Sequence, residues 1–147
     1  GLALRFSNLC NFHLSDIPTS LSKGCLNVDG VDLVVYTGLQ GSVGILTPMA
    51  SKSEIEFYIK LELALRAYFD FNFDDFNAAE NGYNLLGRDH MKFRSYYNPC
   101  INVVDGDLIE RFSELNHLAE VKIAGRFDRT PAEIEKRIED MRNRAAF

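Results

Sequence analysis

The chain has 147 residues, which suits one ordinary domain or a small domain with an appended fragment. Hydrophobic residues make up 46% and charged residues 25% of the sequence, values that are typical of globular proteins and exclude a disordered tail. The formal net charge of −5 argues against direct, non-specific binding to the phosphate backbone of nucleic acids.

The first fifty residues predict four short antiparallel strands, because they form apolar runs separated by turn residues. The glycines between residues 38 and 44 lack the Lys-Ser/Thr pair of a phosphate loop and predict a tight hairpin instead. Four strands in this length match one blade of a β-propeller, or half of a small barrel. Such a sheet cannot cover both of its own faces and needs a neighbour. The predicted strands are Asn8–Leu14, Ser20–Asn27, Asp32–Gly38 and Ser42–Thr47.

After Pro48 the apolar residues recur with a helical period. Ser51 with Glu54 and Ser53 with Glu56 form two overlapping capping-box patterns, so a helix is predicted to begin here and to reach about Phe69. The sequence from 70 to 84 is rich in Asp and Asn and predicts an acidic surface loop. The expected buried face of the helix consists of Ile55, Tyr58, Leu61, Leu65 and Tyr68.

Two further helix starts are predicted in the last third of the chain. Asp105 is placed to cap a helix whose buried face is Leu108, Phe112 and Leu115. The segment Thr130-Pro-Ala-Glu133 combines an N-cap, a proline at the first helical position and a glutamate at the third. The buried face of this last helix is predicted to be Ile134, Ile138, Met141 and Ala145. The fold is therefore predicted to be mixed, with a final propeller blade in 1–50 and an α-helical domain in 51–147.

The sequence offers no pattern for a metal or a cofactor. The three histidines, His13, His90 and His117, are far apart and have no second ligand at helical spacing. The cysteines Cys10, Cys25 and Cys100 fit neither a disulfide framework nor a CxxC zinc motif, and we expect reduced, mostly buried thiols. No apolar run reaches the roughly 18–20 residues that a membrane span requires. We therefore expect no catalytic, metal or cofactor site and no membrane contact.

Residues 87–97 hold the remaining candidates for chemistry. Asp89 beside His90 could form an oriented base, but no nucleophile motif accompanies the pair, so a structural role is favoured. Basic and aromatic residues also alternate here, as in surfaces that stack on single-stranded RNA. Internal bracing, with arginines paired to nearby carboxylates, is favoured over RNA binding because the surrounding charge is acidic. The candidate partner-binding residues of this segment are Arg88, Arg94, Tyr96 and Tyr97.

Four stretches of the sequence resemble the large propeller subunits of the splicing factor 3b complex. LVVYTGLQGSVGIL (33–46) is similar to the last propeller blade of that family, and GRDHMKFRSYYNP (87–99) to its helical C-terminal domain. VVDGDLIERF (103–112) also resembles that helical domain, although its DGDLIERF part is similar as well to damage-specific DNA-binding protein 1 and the large cleavage and polyadenylation factor subunit. RTPAEIEKRIEDMRNRAAF (129–147), together with 87–99, points to the splicing member.

The resemblance implies a scaffold inside the U2 small nuclear ribonucleoprotein in the nucleus, supporting branch-site recognition and prespliceosome assembly. It implies three protein partners: a large HEAT-repeat subunit, a small zinc-containing subunit and a ten-kilodalton helical subunit. The other propellers of the parent chain would be further neighbours, and contact with RNA would be at most indirect. The alternatives are an adaptor of a ubiquitin ligase, a subunit of the 3′-end processing factor, and a small hydrolase that uses Asp89 and His90.

Overall fold

The structure is a computed structural model that describes residues 5–14, 16–25, 30–70 and 102–145. These residues form a three-stranded antiparallel sheet followed by four α-helices, so the predicted mixed class is confirmed. The strands are β1 (Pro18–Gly24), β2 (Leu33–Gly38) and β3 (Val43–Leu46). The helices are α1 (Lys52–Asp70), α2 (Gly106–Glu110), α3 (His117–Gly125) and α4 (Pro131–Ala145), with a 3₁₀ turn at Arg111–Glu114 after α2.

The sheet has the order β1-β2-β3, and the glycine-rich segment forms the predicted hairpin between β2 and β3. The amide of Gly38 donates to the carbonyl of Ser42 at 2.8 Å, which closes the hairpin. Gly41 adopts a φ of +90°, a conformation that residues with a Cβ rarely occupy. A side chain on Gly44 would collide with the ring of Tyr36, its partner on β2. Gly41 is therefore favoured by the backbone conformation of the turn, and Gly44, on β3, by the close approach of the Tyr36 ring.

The strand predicted at Asn8–Leu14 is wrong, since only Asn11 makes an isolated bridge there. The carbonyl of Leu9 accepts from the side-chain amide of Asn102 at 2.8 Å, so this carbonyl is satisfied by a side chain and not by a neighbouring strand. The second strand begins earlier than predicted, at Pro18, and ends at Gly24. The apolar run alone could not fix these limits, because pairing with β2 decides them.

Helix α1 begins where the capping patterns predicted, but the predicted capping box does not form at Ser51. The carbonyl of Ser51 accepts from the amide of Ile55 at 3.0 Å, while its hydroxyl lies 2.9 Å from that of Ser53. The carboxylate of Glu54 pairs with Arg144 on α4. Helix α1 also continues to Asp70, the residue at which the acidic loop was predicted to begin. The rest of that predicted loop lies outside the described residues.

The caps predicted for α2 and α4 are confirmed. Asp105 accepts from the amide of Leu108 at 3.3 Å. Thr130 and Glu133 form the full capping box, with bonds of 2.8 Å and 3.3 Å in the two directions. Helix α3 was not predicted as a separate element. Asn116 caps α3 by accepting from the amide of Ala119 at 2.9 Å. Because the residue three positions later is Ala119 and not a glutamate, the sequence shows no capping-box pattern here.

The hydrophobic core lies among the helices. Of the predicted faces, Tyr58, Leu61, Leu65, Leu108, Phe112, Leu115, Ile134 and Ile138 are buried, whereas Ile55, Tyr68 and Met141 are only partly buried. The hydroxyl of Tyr58 donates to the carbonyl of Arg137 at 2.8 Å and so ties α1 to α4. The prediction of buried cysteines is wrong for Cys10 and Cys25, which are exposed, and Cys100 lies outside the described residues.

Candidate protein-binding surface

The sheet exposes apolar side chains on both of its faces. Side chains alternate along each strand, and the register places Leu21, Tyr36 and Gly44 on one face. The opposite face carries Val35 beside Ile45, and Thr37 beside Val43. Leu21 on the first face is 69% exposed and Val43 on the second face is 70% exposed. Within the part of the chain that the structure describes, neither face of the sheet is therefore covered as a finished core would be.

The edges of the sheet are also open within the part of the chain that the structure describes. There β2 has a partner on each side, and β1 and β3 are the two outer strands. Every residue of β1 except Gly24 is exposed. An exposed edge presents backbone N–H and C=O groups to a further strand. The sheet can therefore accept a neighbour along its edges as well as on its faces.

A carboxylate holds the β2–β3 hairpin in place next to this surface. The Asp16 carboxylate accepts from the hydroxyl of Ser42 at 2.6 Å, and also from the backbone amides of Gln40 at 3.0 Å and Ile17 at 2.7 Å. These bonds, that from Ser42 above all, lower the pKa of Asp16 below its ordinary value. The hairpin that carries Val43 is thus fixed by an ionised carboxylate.

The buried charged cluster Glu62–Arg66–Asp105 joins α1 to the start of α2. Glu62 Oε1 accepts from Arg66 Nη2 at 2.7 Å and from Arg66 Nε at 3.1 Å. Arg66 Nη2 lies 3.9 Å from Asp105 Oδ2, and the Asp105 side chain is only 1% exposed. Burial raises the pKa of Glu62 above its ordinary value, although Arg66 acts in the opposite direction. These contacts, which are largely shielded from solvent, hold α1 against the start of α2.

The shallow groove between the start of α1 and the end of α4 has a volume of about 320 Å³. Its lining includes the two serines Ser51 and Ser53, and both signs of charge from Glu54, Arg137 and Arg144. The pair Glu54–Arg144 crosses the groove and raises the pKa of Arg144. The groove is polar and open, unlike the apolar pockets that usually bind small molecules.

None of the predicted candidate site residues falls within the described part of the chain. Arg88, Arg94, Tyr96 and Tyr97, and likewise the pair Asp89 and His90, lie outside it. Among the described residues no cluster of histidine, cysteine and acidic side chains could hold a metal ion. None of the described helices has the length and hydrophobicity that a membrane-spanning helix needs.

The sequence pattern did not reveal Glu62 and Arg66, because a charged pair within a helix usually lies on the solvated face. The only signal was their position. Glu62 follows the buried Leu61 directly, and Arg66 follows the buried Leu65, at the edge of the apolar stripe.

The fold and this surface define a class of protein in which the helices form the hydrophobic core and a small sheet exposes apolar residues that a neighbouring domain or subunit can cover. A family model described as the CPSF A subunit region matches residues 3–114, which is most of the sequence. The chain belongs to this family.

Relatives match the chain over nearly its whole length. It is 54% identical over 147 residues to pre-mRNA-splicing factor RSE1 of Debaryomyces hansenii, covering 100% of this chain and 12% of that protein. It is 44% identical over 143 residues to the Candida albicans protein of the same name, covering 97% and 11%. Splicing factor 3B subunit 3 of Danio rerio is 37% identical over 147 residues, covering 100% and 11%. The resemblance drawn from the sequence is confirmed, and the chain spans only about an eighth of these relatives' length.

Proposed function

We propose that the chain is a structural part of the large subunit of the splicing factor 3b complex. In this role it works in the nucleus, inside the U2 small nuclear ribonucleoprotein, and supports branch-site recognition and prespliceosome assembly. The observation that carries the proposal is the 54% identity to a pre-mRNA-splicing factor over all 147 residues. The proposed role is that of a non-catalytic scaffold.

The sheet is part of the last blade of a β-propeller, and residues 51–147 form a separate helical domain. Apolar side chains exposed on both faces, such as Leu21 and Val43, support the blade. A propeller blade covers both of its faces only by packing between neighbouring blades. At about 25 cal/mol per Å² of apolar surface, covering a few hundred Å² would stabilise the assembly by several kcal/mol. The other propellers of the parent protein would supply that cover.

The partners are the three subunits implied by the resemblance: the large HEAT-repeat subunit, the small zinc-containing subunit and the ten-kilodalton helical subunit. Four residues are proposed to contact them, because arginine and tyrosine side chains are common at protein interfaces. These residues are Arg88, Arg94, Tyr96 and Tyr97. A role in a ubiquitin ligase or in 3′-end processing is less favoured, because the relatives named above are splicing factors.

The test is a segment exchange. The 147 residues replace the matching segment of Debaryomyces hansenii RSE1 in cells depleted of their own copy. The ratio of unspliced to spliced messenger RNA is measured, and proteins that co-purify with the exchanged subunit are identified by mass spectrometry. We expect normal splicing and recovery of the splicing factor 3b subunits.

The matched control carries Val43→Asp, which places a charge on one exposed sheet face. We expect this control to accumulate unspliced RNA, because a charge buried against a neighbouring blade is unfavourable. Circular dichroism of the free chain shows whether the control still folds. The proposal is wrong if the exchanged subunit without Val43→Asp is made in normal amounts, yet co-purifies with no splicing protein and does not support splicing.

A further inference from the structure

The groove between α1 and α4 places two serine hydroxyls on the same lining as two arginines. Ser51 and Ser53 are both exposed, and their hydroxyl oxygens lie 2.9 Å apart. Arg144 reaches the groove from α4 with about half of its side chain exposed (49%). Arg137, seven residues or about two helical turns earlier on α4, lines the same groove. A phosphate held here would meet guanidinium groups, which bind phosphate oxygens through paired hydrogen bonds.

The sequence around these serines has the pattern that acid-directed protein kinases recognise. Ser53 is followed directly by Glu54 and, at the third position, by Glu56. Such kinases select their substrates by charges at fixed spacing from the hydroxyl. Ser53 also lies in the first turn of α1, where the backbone is least held by helical hydrogen bonds and opens at low cost.

We propose that Ser53 is a phosphorylation site whose phosphate docks α1 onto α4 through Arg137 and Arg144. In the reaction, the hydroxyl oxygen of Ser53 forms a bond to the γ-phosphorus of ATP. The bond from that phosphorus to the β,γ-bridging oxygen breaks, ADP leaves, and the hydroxyl proton passes to solvent. The product carries roughly −1.5 to −2 charges and three acceptor oxygens.

The consequence is a stronger link across the groove. Glu54 already pairs with Arg144, so the unmodified groove carries one carboxylate–guanidinium contact from α1 to α4. A phosphate on the adjacent Ser53 adds negative charge to the α1 side of the groove. We expect it to pair with Arg137, which lines the same groove together with the carboxylate of Asp140. The phosphorylated chain should therefore resist thermal unfolding better than the unmodified chain.

The experiment incubates the full chain with ATP and casein kinase 2, an acid-directed kinase, and maps phosphate by mass spectrometry. We expect phosphate at Ser53, none at this position in Ser53→Ala, and unchanged labelling of Ser53 in Ser22→Ala, an exposed serine without a glutamate three residues later. The Tm of the modified chain should rise by a few degrees.

Arginine variants separate docking from a general effect of charge. In the double variant Arg137→Gln with Arg144→Gln the gain in Tm on phosphorylation should be lost, whereas Arg142→Gln, on the same helix but outside the groove, should keep it. The proposal is overturned if Ser53 takes no phosphate while an acidic reference peptide is fully modified. It is equally overturned if the gain in Tm is absent, or is the same in the double variant.

Discussion

Arginine side chains are almost never fully buried unless they are paired, yet only 4% of Arg66 is accessible to solvent. Its burial is tolerated because Glu62 accepts two of its hydrogen bonds and Asp105 supplies a second negative charge. The arrangement places one cation between two carboxylates. Removing the cation would leave two buried carboxylates without the guanidinium that lies between them, which is far more costly than losing an exposed ion pair.

The first prediction concerns this cation. Arg66→Met should lower the free energy of unfolding by about 3–5 kcal/mol at neutral pH, the usual cost of breaking a buried pair. Lys60→Met, an exposed lysine on the same helix, should change it by no more than about 0.5 kcal/mol. Urea melts followed by circular dichroism measure both. Similar values for the two variants would contradict the structural role of the cluster.

The loss caused by Arg66→Met should also depend on pH. Burial already raises the pKa of Glu62 in the folded chain, and removing Arg66 removes a contribution that lowers it. A carboxyl whose pKa is higher in the folded than in the unfolded state binds more protons when folded, so stability falls as pH rises through that window. Acidification from neutral pH to about pH 5 should therefore recover part of the lost stability in the variant. A loss that grows on acidification would be evidence against a buried Glu62 carboxylate.

The second prediction compares a cap with a core residue in α4. Thr130→Ala removes one half of the capping box and should cost about 1 kcal/mol. Ile138→Ala removes three methyl or methylene groups from a core side chain that is 8% exposed, and should cost about 2–4 kcal/mol. Denaturant melts rank the two. If Ile138→Ala proves the milder change, the buried face assigned to α4 is wrong.

At the scale of elements, the β2–β3 hairpin depends on a close approach between backbone and ring. Gly44 lies opposite Tyr36, and any Cβ at that position would collide with the end of the ring. Gly24, at the end of β1, has open space around its missing Cβ. Both glycines belong to strands and neither has a positive φ, so the two positions differ chiefly in the room for a methyl group.

The third prediction follows from that difference. Gly44→Ala should destabilise the chain by about 1–3 kcal/mol through overpacking. Gly24→Ala should be neutral or slightly stabilising, because it restricts the unfolded chain without a clash. Adding Tyr36→Val to Gly44→Ala should recover part of the loss. Thermal melts of the four chains give the comparison, and equal effects of the two alanines would exclude the clash as the cause.

The local signals in the sequence were sufficient where a short motif and an apolar stripe agreed. The capping box at Thr130 and Glu133, and the cap at Asp105, predicted their helices correctly. Prediction failed where a distant residue decides the structure. The carbonyl of Leu9 bonds to Asn102, 93 positions away, and Glu54 turns from its own helix end to Arg144, 90 positions away. The sheet surface was foreseen from its strand pattern, whereas the buried charges were not, because helical spacing alone cannot tell a buried pair from a solvated one.

At the scale of the whole molecule, a well-packed helical core is combined with a sheet whose apolar side chains are exposed to solvent. Among the residues that the structure describes, fourteen buried residues form one cluster, and all of them come from residues 57–138. Leu33 is the one buried apolar residue of the three strands, and it lies outside that cluster. The helical part therefore has the means to fold without the sheet, whereas the sheet depends on what covers it.

The fourth prediction tests this asymmetry by size-exclusion chromatography. Residues 1–147 should self-associate or elute broadly without partners, and residues 51–147 should elute as a monomer, since the second piece lacks the exposed strands. Val43→Thr with Ile45→Thr in the longer piece should narrow its elution, because both side chains lie on one exposed face. A monomeric, cooperatively unfolding 1–147 would show that the sheet is complete by itself and would argue against the blade.

The bond from Tyr58 to the carbonyl of Arg137 spans 79 positions along the chain, whereas β2 and β3 are joined by a hairpin of a few residues. Contacts between close neighbours in sequence form early, and contacts that close a long loop form late because the chain must first lose more entropy. During synthesis on the ribosome, the sheet can therefore pair long before α4 exists. Helix α1 has to wait for later residues before its buried face is covered, since Phe57 packs on Phe127 and Tyr58 bonds to Arg137. During translation the buried face of α1 is therefore exposed, and open to aggregation, until these later residues have been made.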